Sequence, residues 1–262
     1  MKYGFLGCGN MGSAIARALR TVTGDILITD RSGKAKKTAL ELDIRYGTAQ
    51  EVASDCDRIF VAVKPHMVPE VLEPLQDSLQ ERKPLIISMA AGLTTQRIEQ
   101  LAGGNIAVIR IMPNTPVAVG QGMTQYCCNA LVTPEQEASF LEDMRFSGRL
   151  DKLEERLIDA ASALSGCGPA YMYMFLEALA DGAVACGIPR AKAMEYAAAT
   201  MIGAASMVLT TSQHPGALKD AVCSPGGSTI AGVRALEQHG FRGAVMDCVA
   251  AAFEKNKEFG KK

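Results

Sequence analysis

The sequence predicts an α/β chain in two parts, a doubly wound parallel sheet followed by an all-helical domain. Three observations carry this expectation. Short apolar runs alternate with segments of helical periodicity through the first half, the order that gives parallel strands with helices on both faces. A glycine-rich turn, Gly7-Cys8-Gly9-Asn10-Met11-Gly12, lies directly between the first run and the first helical segment. After about Gly148 the texture becomes Ala-rich, with apolar residues at three and four spacing and no further β-branched runs. The expected domains are therefore residues 1–152 and residues 153–262.

Taken in order, Lys2–Gly7 and Ile26–Asp30 are the first two strand-like runs, with a helix over Asn10–Leu19 between them. Arg58–Val63, Leu85–Ala91 and Ile106–Met112 are further buried-looking runs, separated by helical or turn-rich segments. Six helices follow, each punctuated by Gly or Pro: Leu153–Leu164, Ala170–Cys186, Arg190–Leu209, Pro215–Val222, Thr229–Gln238 and Phe241–Phe259. Several are rich in Ala and Met and apolar on more than one face, which a small isolated bundle can hardly bury. A subunit interface is the simplest cover, so a homodimer is expected.

Composition narrows the function classes. The chain has 262 residues, 48% of them hydrophobic, and a net charge of -1, enough to bury a full core. The longest basic cluster is Lys34, Lys36 and Lys37, too short to neutralise a row of phosphates, so a nucleic-acid partner is not expected and a small molecule is. Eight cysteines form no CxxC pair, and His66, His214 and His239 are not spaced with them as zinc ligands would be. No metal is expected, and the thiols read as reduced, mostly buried groups of a cytoplasmic protein. Met1 leads straight into an apolar strand without a secretory h-region, and no stretch approaches the roughly 20 apolar residues of a membrane helix. The expected location is the cytoplasm.

The glycine-rich turn has a physical use at each position. Gly7 lets the strand turn tightly, Gly9 has no Cβ to block a pyrophosphate, and Gly12 lets the next helix pack close to the sheet. With Asn10 and Met11 opening that helix, its free N–H groups face the phosphates, as in a Rossmann-type dinucleotide site. Asp30 ends the second strand, where an acid accepts from ribose hydroxyls and favours NADH. Arg31, Ser32 and Lys34 follow it and suit a 2′-phosphate, so NADPH is the expected cofactor with NADH as the alternative. The other reading of these cations is a solvated loop. Phe60–Pro65 (FVAVKP) sets Ala62, Val63, Lys64 and Pro65 at the carboxyl edge of the sheet, where ligands of such folds lie; Lys64 reads equally as a surface lysine.

Five stretches then carry a resemblance. FVAVKP, SMAAGLT (residues 88–94), MPNTPVAVGQG (112–122), LSGCGPAYMYMFLEALADGAVACGIPR (164–190) and HPGALKDAVCSPGGSTIAGVRALE (214–237) resemble the pyrroline-5-carboxylate reductase family, in order along the whole chain. The resemblance implies a Rossmann domain and a helical domain that intertwines with a second subunit, dimers that in many members build larger rings, and NADPH as reductant. It also implies an active site where the domains meet, with Ala90 and Ala91 among the cofactor contacts. The implied reaction is reduction of 1-pyrroline-5-carboxylate to L-proline by hydride transfer from NAD(P)H, the last step of proline biosynthesis.

Such a substrate explains the segment Cys223–Thr229 (CSPGGST), which holds no acidic or basic side chain. A cyclic imine is itself basic, and bound as the iminium it needs orientation more than a strong acid. Pro225 ends one helix, Gly226 and Gly227 admit a ligand to bare backbone, and the helix starting near Ser228 offers free N–H groups to a carboxylate. Ser224 and Thr229 add hydroxyls, and the family's threonine at the position of Thr229 implies a contact to substrate nitrogen or carboxylate. The competing reading is a joint between helices, capped by Ser228. In LSGCGPAY, Tyr171 and Tyr173 read as packing and Met172 and Met174 as core. The chain departs from the family at Cys167, where serine is common, at Ser212 and Gln213, where an acid is common, and at Ala221, where an amide is common. Two other functions fit the first half: a 3-hydroxy-acid-type dehydrogenase, for which Lys192 or Lys219 would have to serve as the general acid/base, and a non-catalytic dinucleotide sensor.

Overall fold

The computed structural model describes residues 1–259. Its eight strands are β1 (Tyr3–Leu6), β2 (Ile26–Thr29), β3 (Arg45–Tyr46), β4 (Arg58–Val61), β5 (Leu85–Ser88), β6 (Val108–Met112), β7 (Gly122–Cys128) and β8 (Gly148–Lys152). They form one sheet in the order β3-β2-β1-β4-β5-β6-β7-β8, so the chain runs outward from β1 in one direction and then crosses back beyond it to β4. That reversal is the switch point of a doubly wound sheet, beside which ligands bind. The pairs from β3 through β6 are parallel, while β7 runs antiparallel to β6 and β8 parallel to β7.

Alternation along the strands builds two apolar layers. Phe5, Phe60 and Ile87 point to one face, where α1 (Asn10–Arg20) supplies Ile15 and Leu19 and α7 (Pro134–Met144) supplies Phe140. Leu6, Ile59, Val61 and Ile86 point to the other, against Val52 of α3 (Ala49–Asp55), Leu72 of α4 (Val68–Leu72), Leu79 of α5 (Gln76–Arg82) and Ile98 of α6 (Thr95–Leu101). The Phe5 and Phe60 rings stack with centroids 4.6 Å apart, locking β1 to β4 next to the switch point. Completing this part are α2 (Ala35–Leu42) and α8 (Glu155–Ser165). Starts of α3 and α7 are fixed by capping boxes, Thr48 with Glu51 and Thr133 with Gln136.

Packing divides the described residues into two compact units, one of Met1–Pro169 with residues 252–259, the other Ala170–Ala251. The change of composition near residue 152 and this division are different boundaries, because α8 is held on the sheet. Ile158 is buried with Met112 and Cys127. The fully buried Arg110 of β6 pairs with Asp159 and lies 3.6 Å from Glu155, and Glu155 also accepts from the Thr95 N–H at 2.7 Å and from its hydroxyl.

The second unit takes in nearly all of α9 (Gly168–Ala185), then α10 (Arg190–Thr211), α11 (Pro215–Ala221), α12 (Ser228–Gln238) and α13 (Phe241–Phe259) as far as Ala251. Only Ala180 and Ala193 of residues 170–251 are fully buried within the chain. Met174 is 71% exposed and Met172, Tyr173, Ile202, Met207 and Met246 are exposed with it. Met172 and Met174 are thus not core of this chain, which corrects the expectation from the sequence. Their apolar surface is of the kind a partner covers. Tyr171 is partly buried and donates to the Cys248 carbonyl at 3.3 Å. By length and composition α10 would also suffice to cross a membrane, which the sequence reading did not anticipate. All eight cysteines are free thiols.

Candidate active site

The carboxyl ends of β1, β2 and β4 open onto a groove of about 630 Å³ lined by Gly7, Gly9, Asp30, Arg31, Ser32, Lys34, Ala62, Val63, Lys64, His66 and Glu70, among others. Its floor is the glycine turn, and the three glycines are needed for different reasons. Gly7 has φ +95, and a Cβ there would lie 2.6 Å from Val63 Cγ1 and 2.8 Å from the Ala62 carbonyl oxygen. At Gly12 a Cβ would meet the Gly7 carbonyl oxygen at 3.0 Å and the Ala62 Cβ at 3.1 Å. These two let strand and helix close up. A Cβ on Gly9 would meet nothing within 4 Å. Since the fold leaves that space open, Gly9 suits a group brought in from outside.

Gly9 is also the N-cap of α1 and no side chain caps the helix. The first intrahelical bond here is Ser13 N–H to the Gly9 carbonyl, which leaves the N–H groups of Asn10, Met11 and Gly12 without intrahelical partners. An anion at this end meets free donors and the positive end of the helix dipole. Cys8, between the glycines, is buried, and burial pushes its thiol up to about 11, with the Asp30 charge adding to the shift. It is an uncharged packing group that does not compete for the anion.

Asp30 directly follows β2, the position at which folds of this kind carry an acid for the adenosine ribose. One carboxylate oxygen, Oδ2, accepts from the Ser32 hydroxyl and from the Lys34 N–H at 3.0 Å, closing the turn after β2. The other, Oδ1, is buried and has no protein partner, an acceptor free for a ribose hydroxyl. Arg31 is exposed but not unpaired: its Nη1 lies 2.8 Å from Glu70 Oε2. The residues therefore fit a nicotinamide dinucleotide, with the pyrophosphate at Gly9 and the start of α1 and the ribose at Asp30.

A second groove of about 770 Å³ adjoins the first, sharing Lys64 and His66, and is lined also by Pro65, Ala91, Gly92, Thr94 and Arg97. Of the residues the sequence singled out, Pro65 and Ala91 lie on this second groove, whereas Ala90 is buried in the core with its N–H 3.3 Å from the Ser88 hydroxyl. His66 and Glu70 were missed. They follow FVAVKP in a short 3₁₀ turn and α4, where only the fold-level rule that ligands gather at strand carboxyl ends could have pointed to them.

In the second unit, Ser224–Thr229 joins α11 to α12. Gly227 N–H donates to the Ser224 carbonyl at 3.0 Å, closing a tight turn in which Gly226 has φ +70. Gly226 is the glycine this turn demands, because its φ of +70 is strained for any other residue although a Cβ there would meet nothing within 4 Å; a Cβ on Gly227 would meet Ser224 Oγ at 2.4 Å, a hydroxyl that can rotate away, and the Ser224 carbonyl oxygen at 3.2 Å. The helix begins at Ser228, with Gly227 rather than Ser228 as its N-cap and no side-chain cap. Ser224, Gly226, Ser228 and Thr229 are exposed on the chain and Gly227 is half-buried. Free donors and hydroxyls thus stand together at the N-terminus of an 11-residue helix.

Neither candidate lysine suits alcohol chemistry. Lys219 is held above its ordinary value by its hydrogen bond to Asp220 and by that carboxylate's charge, and Lys192 is ion-paired to Glu195 at 2.9 Å. A general base working near neutrality needs the opposite shift. Among the described residues no group of three or more His, Cys, Asp and Glu could hold a metal ion.

Fold and groove together define a Rossmann-type, nicotinamide-dependent oxidoreductase with a helical second unit. Residues 155–259 match the family model described as pyrroline-5-carboxylate reductase dimerisation, and residues 2–92 the model described as NADP oxidoreductase, coenzyme F420-dependent. The pyrroline-5-carboxylate reductase of Escherichia coli (strain K12) is 44% identical over 266 residues, 99% of this chain and 98% of that one. That of Arabidopsis thaliana is 38% identical over 268 residues, 99% and 96% of the two chains. The crystal structure of Plasmodium falciparum pyrroline carboxylate reductase with NADP bound superposes with a TM-score of 0.90 at 34% identity, covering 99% of this chain and 98% of that one. A likeness to 3-hydroxyisobutyrate dehydrogenase of Mycobacterium tuberculosis, TM-score 0.53 at 14% identity over 69% of this chain and 63% of that one, is one of fold alone. The chain belongs to the pyrroline-5-carboxylate reductase family.

Proposed function

We propose that this protein reduces 1-pyrroline-5-carboxylate to L-proline, the last step of proline biosynthesis, with NADPH as preferred reductant and NADH as the alternative. The observation that carries this reading is that similarity to named pyrroline-5-carboxylate reductases runs through both units, covering 99% of the chain against the E. coli enzyme. Reduced nicotinamide supplies the hydride. On this reading Gly7, Gly9, Asn10, Met11 and Gly12 seat the pyrophosphate, Arg31 and Ser32 face the adenosine end, and Ala62, Val63, Lys64, Pro65, Ala90 and Ala91 shape the remainder of the cofactor site.

Ser224, Gly226, Gly227, Ser228 and Thr229 hold the substrate carboxylate at the uncapped start of α12. Thr229 is the catalytic candidate, its hydroxyl being the group we assign to the ring nitrogen. The imine binds protonated; as a C–H bond forms at its carbon, the π pair moves to nitrogen, which ends as a neutral amine and needs a partner that tolerates both states. A hydroxyl can donate or accept, and so serves before and after.

The exposed apolar surface of residues 170–251 and the dimerisation model support a homodimer, and a ring of dimers is the larger assembly we propose. A cytoplasmic location and a function apart from membranes and nucleic acids go with this reading. The decisive experiment mixes purified protein, NADPH and pyrroline-5-carboxylate and follows nicotinamide absorbance. Loss of absorbance with proline formed is expected; NADPH binding with a flat trace would instead mark a dinucleotide sensor.

A further inference from the structure

Arg31 and Glu70 belong to segments 39 residues apart and meet across the mouth of the cofactor groove, both lining it. The pair is 2.8 Å long with side chains 59% and 63% exposed, a geometry that forms readily and is given up readily. Asp30 is anchored in the turn after β2, with Oδ1 left as a free acceptor. Lys34 also lines the groove and makes no ion pair among the described residues. Of the two cations suited to a 2′-phosphate, one is therefore already engaged.

Building on the cofactor reading above, we propose that Glu70 sets the balance between NADPH and NADH by competing with the 2′-phosphate for Arg31. A phosphate monoester carries close to two charges at neutral pH and takes up an arginine in paired hydrogen bonds. To take Nη1 of Arg31 it must displace the Glu70 carboxylate, and if it takes the remaining guanidinium donors instead it does so beside that negative charge. NADH presents a hydroxyl at the same place, which the free Asp30 oxygen accepts while the Arg31–Glu70 pair stays intact. Glu70 thus penalises one cofactor and leaves the other untouched, keeping a site with an NADPH-type loop open to NADH. It is a specificity-determining residue that acts through another, not a catalytic one.

The test is a cycle of four full-length proteins: parent, Glu70→Gln, Arg31→Ala and the double variant. Each is titrated calorimetrically with NADPH and separately with NADH. Glu70→Gln is expected to raise the NADPH association constant about three- to tenfold, with NADH changed less than about twofold, the size of an exposed pair plus relief of like-charge repulsion. In the Arg31→Ala background the same substitution should give a clearly smaller gain, about twofold, because the competition has lost its object and only the screened repulsion between carboxylate and phosphate is left to relieve. Unchanged or weakened NADPH binding, an equal gain for both cofactors, or a full gain without Arg31 would overturn the proposal. NADH affinity reports that each variant is folded. If the parent bound neither dinucleotide the cofactor reading itself would fall, whereas normal binding with a flat cycle removes Glu70 alone.

Discussion

Gly9 and Gly7 are two residues apart in the same turn, yet replacing each with alanine should separate binding from folding. At Gly9 the backbone has φ -74, which alanine adopts freely, and an added Cβ meets nothing within 4 Å. Alanine gains about 0.4–1 kcal/mol by restricting the unfolded chain, and loses a similar amount as a poorer N-cap than glycine. The melting temperature should therefore stay within about 2 °C, on the scale of 2–4 °C per kcal/mol for a chain of this size. On the proposed cofactor assignment the methyl group stands where the pyrophosphate comes closest, so NADPH affinity should fall about ten- to a hundredfold, 1.4–2.8 kcal/mol. At Gly7, φ is +95 and the Cβ would sit 2.6 Å from Val63 Cγ1 and 2.8 Å from the Ala62 carbonyl oxygen. About 1–2 kcal/mol of dihedral strain adds to about 1–3 kcal/mol of overpacking, which predicts a melting temperature lower by roughly 5–15 °C. Thermal denaturation of both variants, with NADPH binding followed by nicotinamide fluorescence, decides the matter. Parental NADPH affinity in a folded Gly9→Ala protein would refute the assignment of the groove floor to the pyrophosphate.

Arg31→Ala should raise the Michaelis constant for NADPH by about tenfold and that for NADH much less, as expected for loss of one charge-assisted contact; equal effects in steady-state kinetics would show that no 2′-phosphate is held there. Thr229→Ala should lower turnover efficiency ten- to a thousandfold, about 1.4–4 kcal/mol, with NADPH affinity measured by fluorescence unchanged; a parental rate would reduce the segment to a joint between helices. Sedimentation at micromolar concentration should find a dimer at least, given how little of residues 170–251 is buried, and a folded, active monomer would contradict this. Glu137 is held below the ordinary carboxylate range by hydrogen bonds from Lys152 and Tyr126. A depressed folded value stabilises above the ordinary Glu value, and the stabilisation is lost as pH falls through the folded value. Urea midpoints of Glu137→Gln should accordingly lie below the parent at neutral pH and converge on it in acid; a constant gap would place the effect elsewhere.

The legible parts of the chain were those where one local rule sufficed. β1, β2, β4, β5 and β6 are short runs buried on both faces, and each shows as a continuous apolar stretch. β3 is two exposed residues and β8, Gly148–Lys152, is an edge strand carrying Arg149, Asp151 and Lys152, so neither has an apolar pattern to read. β7 was hidden differently: Thr124 and Gln125 are buried in its middle, where Gln125 accepts from the Ser165 hydroxyl of α8 at 2.8 Å while the Thr124 hydroxyl has no partner among the described residues, so the strand lacks a continuous apolar run. The sites divide the same way. Glycines that shape a turn act through their own backbone, so their spacing was enough to mark the groove floor and the bare start of α12 as candidates. Glu70 acts only by meeting Arg31 across a groove, and Arg110 only by meeting acids from α8; neither motif nor periodicity records a partner that the fold alone supplies. Met172 and Met174 expose the remaining blind spot. Apolar patterning marks a face that must be covered, without stating by which chain, and the described residues of this chain leave it exposed. Residues read as core and residues read as interface are thus one prediction until the assembly is measured, which is why the sedimentation experiment bears on the fold as much as on the oligomer.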